Sequence, residues 1–183
     1  LFFTATGARS GNMTLAVNAL FMQLYLLYSH FMDGFAYAGE ALAGKYAGAA
    51  DKRSLRRCVS HLFAWGWSLA AIFAFAYGVF NHEVMSLFSD KPEVVAFAAA
   101  YRWWIALAPI AGMAAFIWDG VFVGLTATRQ MLLSLAGATA VYFTIYFLFP
   151  LADANDCLWT AFLAYLAVRG VILWFCFARE NRY

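Results

Sequence analysis

The chain has 183 residues, enough for one domain, but 65% of them are hydrophobic, 20% aromatic and only 12% charged, whereas soluble domains carry about a quarter charged residues. That composition excludes an ordinary soluble domain and describes an all-α integral membrane protein, or part of one. The formal charge of +2 says little as a total, because in a membrane protein the placement of charge carries the meaning.

Crossing about 30 Å of hydrocarbon takes about 20 apolar residues. Five stretches are long enough, at 15–42, 62–80, 94–125, 131–151 and 157–177. Ahead of them, LFFTAT at 1–6 is too short to span. With no initiator methionine and no secretory leader, it reads as the tail of a helix that begins upstream.

The first span contains HFMDGFAYAGEALAGKYAG at 30–48, with Asp33 and Glu40 in an otherwise apolar run. Seven residues are two helical turns, so the two acids share a face, joined by His30 and Tyr37. An ionised Asp at the middle of a lone helix costs about 2.5–3.5 kcal/mol, so this polar face is expected to point inward, to a bundle interior or a watered cavity. Asp33 lies deep, and two readings stay open: a transport-linked proton site, or a hydrogen-bonded structural acid. Glu40 is five residues from Lys45, about 7.5 Å of helix rise, and reads as a gate or structural residue near the interface, within reach of the basic turn that follows.

That turn, GKYAGAADKRSLRR, holds Lys45, Lys52, Arg53, Arg56 and Arg57 against Asp51, which is a positive-inside signal. The next connection, NHEVMSLFSDKPE, reads as an external loop with Glu83, Asp90 and Glu93 against Lys91. Ser89-Asp90-Lys91-Pro92-Glu93 is a helix-start pattern. In the third span, Pro109 is expected to kink the helix, and Asp119 follows about 15 Å further along. TATRQ supplies Arg129, DAND supplies Asp153 and Asp156, and the tail supplies Arg179 and Arg182. Basic and acidic connections therefore alternate, placing the C-terminus in the cytoplasm. Trp103, Trp104 and Trp159, near external helix starts, fit an interfacial aromatic belt and lipid-facing or packed aromatics equally well.

In the fifth span Arg169 stands ten residues before Arg179, at a depth comparable to Asp119. An Asp119–Arg169 ion pair would relieve the cost of burying either alone; snorkelling of Arg169 to the interface is the alternative. Small residues abound beside these charges, at Gly34, Ala36, Gly39, Gly44, Gly112, Gly120 and Gly124, and let helices approach closely. No enzyme is indicated: the three histidines are scattered, Cys58, Cys157 and Cys176 have no metal or redox spacing, and neither a phosphate-binding loop nor a serine elbow occurs. No cofactor and no nucleic-acid partner is expected, and the basic cluster at 52–57 reads as a topogenic and lipid-headgroup signal.

Four segments, FFTATGARSGNMTLAVNALFMQLYLLYSHFMDGFAYAGEALAGKYAGA, LRR, FIWDGVFVGLTATRQM and AFLAYLAVRG, resemble the C-terminal lobe of multidrug and toxic compound extrusion (MATE) transporters, specifically the DinF-like subfamily. The resemblance implies the C-terminal half of a twelve-helix fold: five complete transmembrane helices plus the end of a sixth. On that layout, 1–6 ends helix seven, and 13–44, 54–80, 92–126, 129–151 and 156–178 are helices eight to twelve. It further implies a fragment of an H⁺- or Na⁺-coupled antiporter that exports small organic, often cationic compounds by alternating access. Its implied partners are membrane lipids and a missing N-terminal lobe, and its implied site is the bacterial inner membrane. Asp119 matches an acid that Na⁺-coupled relatives use for cation binding, whereas the proton-linked acid of DinF-like members belongs to the other lobe. Two rival readings are a lipid-linked or polysaccharide flippase of the same superfamily, and a membrane receptor or assembly subunit whose buried acids hold helices together.

Overall fold

The computed structural model describes residues 11–148 and 153–180; the expected helix tail at 1–6, Pro150 and Arg182 lie outside them. Among the described residues six helices follow in order: α1 Asn12–Gly48, α2 Lys52–Val79, α3 Asn81–Phe88, α4 Pro92–Gly124, α5 Thr128–Leu148 and α6 Ala154–Glu180. All but α3 are long and apolar enough to cross a membrane. The chain is a multi-pass membrane protein. Helix α3 corrects the reading of 81–88 as loop: NHEVMSLF buries Asn81 and Met85 while Glu83 sits in its first turn, where a negative charge complements the helix dipole.

The helix ends follow from local chemistry. Asp51 caps α2 by accepting the Ser54 N–H at 2.9 Å, and α4 starts on Pro92 with Glu93 in its first turn, a position where proline's missing N–H costs nothing. Helices α1 and α4 end alike: Asp51 N–H donates to the Tyr46 carbonyl and Ala50 N–H to Ala47, as Ala127 N–H does to Phe122 and Thr126 N–H to Val123. These are Schellman closures. Their left-handed residues are Ala50 (φ 54°) and Thr126 (φ 55°), not the usual glycine, so each carries the Cβ strain of that conformation.

Helix α4 is the axle of the bundle. It packs against α1, α2 and α6, with α3 against its start, while α5 rests chiefly on α6. Being apolar all round, α4 suits such a central place. The core divides into two clusters. One holds Phe21, Leu24, Tyr77, Ile105 and Trp159 toward the acidic turns; the other holds Met32, Leu62, Met113, Trp118 and Phe122 toward the basic ones. Pro109 lies at the boundary, inside a helix assigned continuously from end to end. Buried hydroxyls bridge helices there: Tyr28 donates to the Pro109 carbonyl at 3.0 Å and Tyr77 to the Leu24 carbonyl at 2.8 Å. Lipid gives apolar helices little reason to associate, so such bonds and close backbone packing hold them together.

At the acidic end, a polar network ties α1 to α6. Asn18 Nδ2 donates to Asn155 Oδ1 at 2.7 Å and the Trp159 indole donates to Asn18 Oδ1 at 2.9 Å. Trp159 is fully buried, which resolves its two readings in favour of a packed aromatic. Tyr101 donates to Asp153 and the Trp104 indole to Asp156, so the acids at the start of α6 also anchor it to α4.

Candidate functional site

Helices α1 and α4 meet backbone to backbone. A Cβ built at Gly120 would collide with the Ala36 carbonyl, one at Gly124 with the Glu40 carbonyl, and one at Gly44 would lie 3.3 Å from the Gly124 carbonyl. Gly120 and Gly124 thus form a GxxxG seam against Ala36 and Glu40. Because 36 faces 120 and 40 faces 124, the two helices run parallel in register. Asp33 then lies two residues, about 3 Å of rise, from the level of Asp119.

That seam sets the direction of the polar face within this chain. At the level of Ala36 to Gly44, small residues and carbonyls fill the α1–α4 interface, so the face is turned out of this chain's own core. His30, Tyr37 and Glu40 are exposed, Tyr37 at 70%, and Asp33 is partly so. The His30 ring folds back on its own helix, Nδ1 lying 2.5 Å from the Leu26 carbonyl oxygen. Glu40 contributes its main chain to the seam while its carboxylate projects away.

Asp119 and Arg169 meet between α4 and α6. Arg169 Nη2 donates to Asp119 Oδ2 at 2.6 Å, with the two side chains only 24% and 25% exposed. A glycine follows each charge. Gly120 lets α4 close on α1, and Gly170 lets α6 close on α4, since a Cβ there would stand 2.8 Å from Ala114 Cβ. The charges are held by helix packing on both sides, so the arginine reaches across to α4 instead of rising to the interface. Asp119 Oδ1 and Arg169 Nε are buried without a hydrogen-bond partner among the described residues. The pair therefore keeps one acceptor and one donor unspent in a region where each unsatisfied group is costly.

Aromatic rings wall this region. Tyr25 stands edge-on to Phe162 at 5.3 Å and beside Phe116 at 6.3 Å. Sequence reasoning missed Tyr25, although its position two turns before Asp33 in a helix otherwise rich in Leu and Phe is a usable signal. Among the described residues, no three His, Cys, Asp or Glu side chains gather as metal ligands.

The structure thus brings Asp119 and Arg169 into contact, sets Asp33 at nearly their depth on a different helix, and leaves His30, Tyr37 and Glu40 on an outward face. The MatE family model matches residues 1–151. The chain is 31% identical over 170 residues to the DNA damage-inducible protein F of Escherichia coli, covering 93% of this chain and 37% of that protein. It is 24% identical over 167 residues to Protein DETOXIFICATION 43 of Arabidopsis thaliana, covering 91% of this chain and 32% of that one. The chain spans roughly a third of the length of these curated relatives. With a family match over most of its residues and a bundle of membrane-length helices to go with it, the chain belongs to the MatE family.

Proposed function

We propose that the chain is part of an exporter of small organic compounds that works by alternating access, driven by the counter-flow of H⁺ or Na⁺. The observation that carries this reading is the outward polar face of α1. A membrane-length helix that turns His30, Asp33, Tyr37 and Glu40 away from its own bundle cannot give that face to lipid, because each central charge costs about 2.5–3.5 kcal/mol there. The face belongs against water or another polypeptide surface, which is what a translocation path between two lobes provides. Acids on such a face attract cationic compounds, and the exposed Tyr37 ring offers them a cation–π surface.

The Asp119–Arg169 pair supports a coupling role at the same depth: proton or Na⁺ binding at Asp119 would compete with the guanidinium and release it. The alternating basic and acidic turns favour placement in the bacterial inner membrane with the C-terminus in the cytoplasm. In the complete polypeptide, Asp33→Asn and Asp119→Asn are each expected to lower efflux of an organic-cation dye, normalised to the amount of protein in the membrane, by about tenfold or more, the scale of one lost hydrogen bond to a charged group. Unaltered efflux in both variants would refute the reading, and lost protein levels without a transport defect would favour a scaffolding role for the acids.

A further inference from the structure

We propose that the cleft between the end of α1 and the start of α2 binds the headgroup of one anionic phospholipid, with the upper part of an acyl chain laid against Trp65. The cleft has a volume of about 380 Å³ and joins residues of both helices. Ser54, Arg57, His61 and Trp65 form one stripe on α2, at the three- and four-residue spacings that share a helix face. Arg57 and Trp65 are eight residues apart, about 12 Å of rise. Over that distance the lining passes from guanidinium, hydroxyl and imidazole to Leu42, Leu62 and indole. This gradient matches an amphiphile that enters head at the turn and tail toward the hydrocarbon.

Charge selects the occupant. Among the described residues no carboxylate lines the cleft, and the nearby Asp51 carboxylate is committed to the α2 cap. On the opposite wall Tyr46 lines the cleft, and the Lys45 ammonium lies 5.8 Å from the centre of its ring. A phosphodiester would meet Arg57, which offers the planar fork that suits phosphate oxygens, beside the Ser54 hydroxyl and the His61 ring. Trp65, 66% exposed, supplies the amphipathic ring favoured at the headgroup boundary. Free phosphate satisfies only the lip of the cleft; the apolar foot calls for a lipid. These residues are distinct from those of the proposed transport path, so the two readings stand or fall separately.

Cys58 lines the cleft and reports its occupancy. The complete polypeptide is reconstituted in vesicles of phosphatidylcholine, of phosphatidylcholine and phosphatidylglycerol in equal parts, or of phosphatidylcholine with inorganic phosphate added. Alkylation of Cys58 is then timed by peptide mapping. Phosphatidylglycerol is expected to slow it and phosphate to leave it unchanged. Arg57→Gln should raise the phosphatidylglycerol fraction needed for half-protection about fivefold, the worth of one basic residue at an anionic surface, and Arg57→Lys should recover much of the loss. Arg53→Gln, on the same turn but outside the cleft, should leave protection intact. Equal losses in the Arg53 and Arg57 variants would reduce the effect to diffuse surface attraction and overturn the site. Equal protection by phosphatidylcholine, or protection by phosphate alone, would also overturn it.

Discussion

Asp119 and Arg169 show how two charges become affordable inside a bundle: each is tied to a glycine that locks its helix against a neighbour, so the contact is held without long side chains searching for each other. Removing one partner leaves the other partly buried and unpaired, and Arg169→Met is expected to destabilise the protein by about 3 kcal/mol, near the lower end for buried pairs because both groups keep some solvent. The double variant Asp119→Leu/Arg169→Met should recover most of that loss, as measured by unfolding in detergent micelles. A double variant no more stable than the single one would place the damage in packing. At the other extreme of exposure, the Ser54 hydroxyl and backbone N–H hold the Asp51 carboxyl below its usual range. A group with a depressed folded pKa contributes stability above its unfolded value and loses it as pH falls through the folded one. The protection of amides in the first turn of α2, taken relative to their intrinsic exchange rate at each pH, should therefore fall in acid, and Asp51→Asn should flatten that dependence.

Among the elements, the α1–α4 seam is the most demanding contact. Gly120→Val would drive a branched side chain into the Ala36 carbonyl and is expected to cost about 3 kcal/mol, the upper end for overpacking. Gly48→Ala, where an added Cβ meets nothing within 4 Å, should stay within about 0.5 kcal/mol of the parent in the same unfolding assay. Much of this architecture was legible from the chain alone. The five spans follow from apolar run length, and the shared level of Asp119 and Arg169 follows from counting residues to Pro109 and Arg179. Depth along a helix can be counted; rotation about it cannot. Periodicity groups His30, Asp33, Tyr37 and Glu40 on one face, but which way that face points depends on where α4 packs, and the small residues at 36, 39 and 44 signalled close approach without naming its partner. Helix α3 escaped because an eight-residue segment with Asn, His and Glu has too little apolar periodicity to stand out. The Asn18–Asn155–Trp159 network joins positions 137 and 141 apart, a pairing that only three-dimensional packing reveals.

For the whole molecule, an odd number of spans between the basic turn after α1 and the acidic end of α6 fixes which turns share a side. Asp90→Cys should react with a membrane-impermeant thiol reagent in intact cells and Ala49→Cys only after permeabilisation; the reverse pattern would invert the orientation argued from the loop charges. Backbone contact along Gly120 and Gly124 also has a mechanical consequence. With carbonyls seated on glycine Cα atoms, α1 can neither roll about its axis nor slide along α4 without a clash, so the outward acids keep one fixed heading. Any large excursion of α1 must then carry α4 with it as one unit. On the proposed transport reading, a spectroscopic ruler between α1 and α4 should read one constant distance throughout, whereas one between α1 and whatever faces it should not.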